Sequence, residues 1–333
     1  MSVTMQKQSA RNIVVGPNTQ VAYGGILADA ALTKRLRFDS SSMFTPTPTR
    51  RSDKDYAGKG TEFATDETIT AWDTDGNIKI EADSWGLGWM LAMIFGQEVV
   101  TGSGAPYTHT FTVPPISAVM PCTTVYVEDT ADIKRKFQDM FATDLTITIP
   151  ERGAVMAELS MQGTGRFTPG AITTMPALPT NSYFLGSDMI FTITTGSAKS
   201  YAGRQRNLTI KLSRGSGPFK SSGDGLYAGS GESGKTGFSM EITIIADSTD
   251  DIQTLEVNDT AVDISVATDP TKTFQFGFNF PNARVKLAKL ADVEDKVAWT
   301  INVDETTCLQ AGATAAISAF IMNAQVLGYL VAV

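Results

Sequence analysis

The sequence predicts a mainly β (α+β) protein: two similar β-sandwich or split-barrel units, each flanked by a helix, behind an extended N-terminal arm. Three observations carry this. Apolar and polar residues alternate with period two, as in Tyr107–Val113 (YTHTFTV) and Thr273–Phe280 (TFQFGFNF), the mark of half-buried strands. Turn residues punctuate these runs at short intervals. Only two short stretches read as helix, each preceded by Asp-Ser (Asp83-Ser84 and Asp247-Ser248).

The elements follow in order. Residues 1–60 are rich in Ser, Thr, Pro and charge. The run Phe44-Thr-Pro-Thr-Pro-Thr-Arg-Arg51 is extended by composition, because proline fixes φ and biases its predecessor away from helix. This segment is expected to be an arm. Strands are predicted at Thr68–Trp72 and Asn77–Ala82, turned by Asp73-Thr-Asp-Gly76, since Asp-Gly between alternating runs favours a hairpin. Asp83-Ser84 then caps a helix over Trp85–Phe95, stopped by Gly96. That helix is apolar on nearly every face, so it must be buried in its own fold or against another subunit. Strands follow at 107–113 and 122–128, and a hairpin at 144–149 and 154–162 turned by Glu151-Arg-Gly153. The proline-rich stretch 167–181 reads as a linker.

The second half repeats the theme. Strands are predicted at 189–194 and 207–212, then a Gly/Ser-rich loop over 213–237, a strand at 238–245 and a short helix through Leu255. An aromatic strand ends at Pro281, a hairpin spans 284–290 and 297–303 around Asp292-Val-Glu-Asp295, and 317–322 closes the fold. The expected division is an arm at 1–60, one β unit at 61–180 and a second at 181–333.

Composition sets limits on function. The 333 residues are 42% hydrophobic and 19% charged, below the roughly 25% charge usual for soluble domains. A low charge fraction fits a surface covered by partners. The net charge of -8 argues against a protein that grips nucleic-acid phosphates. Residues 1–60 hold nine Lys/Arg against four Asp/Glu, a net of +5, which leaves -13 for the body. Such an arm can pair with a neighbour's acidic surface. Cys122 and Cys308 have no CxxC partner, so a metal site is not expected, while a disulfide stays open. The first residues lack the apolar core of a signal peptide, and the apolar C-terminal run is too short to span a bilayer. The expectation is a soluble protein made in the cytoplasm, with no membrane partner.

Enzymatic readings fail on context. Gly229-Ser-Gly-Glu-Ser-Gly-Lys235-Thr236 matches the GxxxxGK[ST] pattern, which cradles phosphates only at a strand-to-helix turn. Here a period-two run follows, so nucleotide binding is the weaker alternative and no cofactor is expected. His109 is the sole histidine and lies between two threonines of a strand, and no GxSxG occurs. The acidic groups Asp73/Asp75, Glu128/Asp129 and Asp292/Glu294/Asp295 fall in predicted turns. Tryptophans 85, 89 and 299 read as core or interface anchors.

The run Glu81-Ala-Asp-Ser-Trp-Gly-Leu-Gly-Trp-Met-Leu-Ala-Met-Ile-Phe-Gly96, followed by Ala105-Pro-Tyr-Thr-His-Thr-Phe-Thr-Val113, resembles the major tail tube proteins of long-tailed, siphovirus-like bacteriophages. The resemblance implies a virion protein without catalytic residues, assembled in the host cytoplasm. It implies rings stacked into a hollow tube that holds the tape measure protein and conducts double-stranded DNA, with tail terminator and distal tail proteins at its ends. The family's common ring has six copies of one unit. Two units per chain would make a trimeric pseudo-hexameric ring; otherwise the ring is a hexamer. Other ring- or shell-forming virion or secretion-tube proteins are the alternative. Candidate oligomer-interface residues are Trp85, Trp89 and Phe95 on the helix, Arg50 and Arg51 in the arm, and Phe219 and Tyr227 in the Gly-rich loop.

Overall fold

The structure, a computed structural model, describes residues 11–20, 22–56, 60–114, 120–179, 183–221, 223–232, 234–293, 295–310 and 314–332. The N-terminal segment contributes Asn12–Val15 (β1), Asn18–Thr19 (β2), Lys34–Arg35 (β3) and Met43–Ser52 (β4). Glu67–Glu81 (β5) leads into Gly86–Phe95 (α1), then Gln97–Thr101 (β6), Tyr107–Thr112 (β7), Thr123–Glu128 (β8), Lys134–Ile149 (β9), Met156–Gly163 (β10) and Phe167–Pro169 (β11). Next come Met189–Thr194 (β12), Ala198–Ser200 (β13), Gln205–Arg214 (β14), Gly217–Phe219 (β15), Ser230–Glu232 (β16) and Thr236–Ile245 (β17). Ile252–Val257 (α2) is followed by Ala261–Thr268 (β18), Gln275–Arg284 (β19), Lys286–Val293 (β20), Lys296–Asp304 (β21), Ser318–Asn323 (β22) and Val331–Ala332 (β23).

The mainly β expectation holds. The larger sheet runs β20-β21-β17-β14-β9-β10-β5-β4, with β1, β3, β8 and β11 attached through β8 and the first part of β9. A second sheet runs β13-β12-β18-β19-β22-β7-β6. Strands from before and after residue 180 are neighbours in both sheets, and both sheets feed one apolar cluster that includes Ile147, Leu159, Ile210, Ile242, Phe276 and Phe278. Alternation explains this: the inward residues of each strand meet the opposite sheet, and the outward ones stay polar.

Helix α1 lies inside that cluster, with all ten of its residues buried. Asp83 starts it, its Oδ1 accepting the backbone N–H of Trp85 (2.8 Å) and of Gly86 (2.9 Å). Gly96 ends it at φ 78°, the left-handed turn that glycine adopts without strain. Gly88 has a different role. A Cβ there would stand 2.5 Å from the Tyr329 hydroxyl, so the glycine admits a buried tyrosine from the C-terminal segment.

The larger sheet contains the same four-strand order twice. In β9-β10-β5-β4, one cross-strand row reads Ala142, Met161, Gly76, Phe44; in β20-β21-β17-β14, the matching row reads Leu287, Ile301, Ile242, Leu208. Both hairpins carry a one-residue bulge next to this row, at Thr143 in β9 and Ala288 in β20. A bulge fixes register and bends its strand, so the coincidence of both bulges aligns the quartets residue by residue.

Three expectations change. No turn forms at Asp73–Gly76: β5 passes straight through. Gly76 lies beneath Phe44, whose ring would be 2.2 Å from an added Cβ, so it is a slot for an aromatic ring instead of a turn residue. From Arg11 to Tyr56 the expected arm is largely built into the body, with β1 wholly buried and β4 paired along β5. Residues 1–10 lie outside the described residues. The Gly/Ser-rich loop folds back as the small β15–β16 hairpin, and β14 and β17 shorten it from either side.

Candidate assembly surface

The main path of the larger sheet ends in two long strands, β4 and β20, whose outer edges lack a strand neighbour among the described residues; the short side strands β3 and β11 also have one partner each. Unpaired edges are templates for another chain. The two long edges are unlike. β20 is the first strand of a bulged hairpin, whereas β4 carries Pro46 and Pro48 and has its register shift between Thr49 and Arg50.

The direction in which those prolines face can be read from their partners. Pro48 is opposite Trp72, and the Trp72 N–H donates to the Leu226 carbonyl (2.8 Å) on the far side of β5. Trp72 and Pro48 are therefore a non-hydrogen-bonded pair, and the peptide groups of Pro48 face the open edge. With period two, those of Pro46 do so as well. Thr47 between them and Thr45 and Thr49 on either side are exposed. Arg50 pairs with Glu67 at 3.2 Å, both half exposed, and Arg51 lies over the Tyr56 ring at 5.9 Å. Exposed pairs of this sort add little stability and remain available to a partner.

The interface candidates separate into two groups. Trp85, Trp89 and Phe95 are buried in the chain's own core, and Trp85 keeps a small exposed area, 7%. The Trp85 ring is held edge-on by Tyr329 (5.7 Å) and covered by Lys34 (5.5 Å). Arg50 and Arg51 are exposed on β4, and Phe219 is exposed on β15. Tyr227 is half-buried, with the Arg166 guanidinium 5.6 Å above its ring. Lys220, beside Phe219, is ion-paired with Asp73.

The glycine motif has a packing explanation. An added Cβ on Gly234 would meet the Gly215 carbonyl at 1.9 Å, and one on Gly231 would meet the Tyr23 hydroxyl at 2.7 Å. Lys235 is followed by strand β17, so no helix N-terminus is aimed at a phosphate there.

Sequence reasoning missed the buried polar ties. Arg214 is buried and donates to the carbonyls of Ile94 (3.2 Å) and Phe95 (3.0 Å) at the end of α1, where a cation suits the helix dipole. Burial pushes its guanidinium down from the ordinary arginine range. Asp139, fully buried, accepts from Gln20 and Gly24 (2.8 Å each) and from Arg166 (3.2 Å), tying the N-terminal segment to β9. His109 sits between Glu98 (Nδ1, 2.7 Å) and the Gln325 carbonyl (Nε2, 2.8 Å). Glu98 also accepts the Tyr329 N–H, and Asn323 donates to the Tyr329 hydroxyl (2.6 Å each). Only the lone histidine in a strand signalled any of this, and its partners are distant in sequence.

Of the predicted turn acids, Asp129 is held by Arg11 (2.9 Å), and Glu128, which ends strand β8, is held by Lys134 (3.3 Å). Glu294 lies outside the described residues. Both cysteines are free thiols, and burial pushes each up to about 12. Among the described residues, no group of three His, Cys, Asp or Glu side chains could hold a metal ion, and no helix is long and apolar enough to cross a membrane.

What the surface offers is backbone edges, threonines and exposed arginines, a set suited to joining chains. No curated protein matches the sequence. A family model described as phage tail tube protein matches residues 12–314, nearly the whole chain. The chain belongs to the phage tail tube protein family and is a structural component of the virion tail.

Proposed function

We propose that this tail tube subunit closes sideways with copies of itself into rings, which stack into a hollow cylinder around the tape measure protein and later conduct DNA during ejection. The observation that carries this is the tandem strand order of the larger sheet, open at both ends. A sheet built of two like quartets extends by adding further quartets, and closing it into a ring pairs both of its long end strands. Three chains would supply six quartets, so the sheet favours a trimeric, pseudo-hexameric ring over a ring of six chains. On this reading the two β units are repeats that share their sheets.

The charge supports a conduit. A net charge of -8 repels phosphate, so a duplex finds no deep binding minimum along the wall. The basic residues of the N-terminal segment and the exposed Phe219 on the β15–β16 hairpin are suited to contacts between rings. Tail terminator and distal tail proteins would close the two ends of a tube assembled in the host cytoplasm. Negative-stain microscopy of the purified protein tests the reading: hollow cylinders of uniform width are expected, and a compact monomer at every concentration would overturn it.

A further inference from the structure

We infer that the joint between neighbouring subunits is β4 of one copy against β20 of the next, a half-bonded replica of the β14–β9 joint inside each chain. This rests on the proposed ring. It adds which edges meet, in what register, and why the joint is weaker than its internal counterpart.

The internal joint is the template. It is where one quartet ends and the other begins: Leu208 opposes Ile149, Ile210 opposes Ile147, Lys211 opposes Thr146 and Leu212 opposes Leu145. Aligned by the cross-strand rows, Phe44, Pro46, Thr47 and Pro48 of β4 stand where β14 has Leu208, Ile210, Lys211 and Leu212. Aligned by the bulges, Leu290, Ala291 and Asp292 of β20 stand where β9 has Leu145, Thr146 and Ile147. The outer joint therefore places Pro48 opposite Leu290, Thr47 opposite Ala291 and Pro46 opposite Asp292.

The prolines fall on the positions that matter. The backbone of Phe238, opposite Leu212, bonds to Glu305 on the far side of β17: the Phe238 N–H donates to the Glu305 side-chain carboxylate, and the Glu305 N–H donates to the Phe238 carbonyl (3.2 Å each). The peptide groups of Leu212, and by period two those of Ile210, thus face β9 and bond across the internal joint. At the outer edge both positions are proline. Their carbonyls can accept, but the two donors are gone. The edge keeps its register and gives up part of its ladder, which restrains free subunits from pairing before assembly.

The helices support the same placement. α1 packs on β9 and β14, over the internal joint, and is wholly buried. α2, the matching helix of the other quartet, packs on the edge strand β20, and Val257 at its end is 75% exposed. A neighbour's β4 arriving beside β20 would supply the strand that α2 lacks. Its Arg50 stands where Arg214 does and would approach the end of α2, as Arg214 caps α1.

The test is a disulfide across the predicted non-hydrogen-bonded pair. Thr47→Cys/Ala291→Cys in the full chain, oxidised after assembly, should give covalent multimers on a non-reducing gel; Thr47→Cys/Leu290→Cys, one residue out of register, should give at least several-fold fewer. Tubes without cross-links would overturn the joint while leaving the tube reading intact; wild-type protein that never forms rings or tubes would overturn both. As a second variant, Pro46→Thr/Pro48→Thr restores two donors and should lower the concentration needed for assembly roughly tenfold. An unchanged or higher threshold would contradict the half-bonded edge.

Discussion

Trp89 separates a core role from an interface role. Its side chain is fully buried in α1. A tryptophan buries about 200 Å², worth about 5 kcal/mol at about 25 cal/mol per Å², in line with the roughly 3–5 kcal/mol lost when large core residues become alanine. Trp89→Ala should therefore lower the melting midpoint by roughly 4–7 °C, since the 333 residues at about 2.1 cal/mol/K each give an unfolding entropy of about 0.7 kcal/mol/K. Trp89→Phe should cost far less. It keeps most of the apolar contact, and it removes an indole N–H that has no acceptor among the described residues, a burial that itself costs about 1–3 kcal/mol. Thermal and urea melts of dilute, unassembled protein, followed by circular dichroism, measure both. If Trp89→Ala left the melt unchanged yet abolished tubes, Trp89 would be an interface residue and the packing of α1 described above would be wrong.

Three further outcomes follow from buried polar groups. His109→Leu should destabilise the fold by about 3–5 kcal/mol, because it strips Glu98 of a buried partner; Glu98→Gln/His109→Leu should recover part of the loss in urea melts. Cys122 and Cys308, pushed up to about 12 by burial, should resist maleimide at pH 8 in folded protein and react once urea unfolds it. Although burial alone would raise the Asp250 carboxyl, two hydrogen bonds from Arg204 (2.9 Å each) hold it below the usual carboxylate range. The stability this contributes is present above about pH 4 and is lost as pH falls through the lowered value. Arg204→Gln should accordingly move acid unfolding to higher pH, as read by circular dichroism between pH 2 and 6.

The local pattern foretold what local physics controls. The apolar run Gly86–Phe95 between Asp83 and Gly96 became α1, and the Glu151-Arg-Gly153 turn formed where the pattern put it, whereas the aromatic strand β19 runs through Pro281 to Arg284, past a register shift, and does not stop at the proline. Long-range packing was less legible. Gly76 looked like a turn because its reason, the Phe44 ring, lies on another strand. The Thr-Pro repeat of β4 looked like a free arm because alternate prolines suit both an extended tail and a sheet edge. Nothing near Arg214 in sequence names the α1 carbonyls it binds. The surface that joins chains was legible only in part: Arg50, Arg51 and Phe219 are exposed, but β4 and β20 become edges only once both quartets lie in one sheet.

The rotational symmetry of the assembled particle bears most directly on the central claim. Electron cryomicroscopy of tubes, viewed end-on, should resolve three chains per ring and six similar quartets around one continuous β wall. A ring of six whole chains, or a wall in which β4 and β20 remain unpaired, would contradict it.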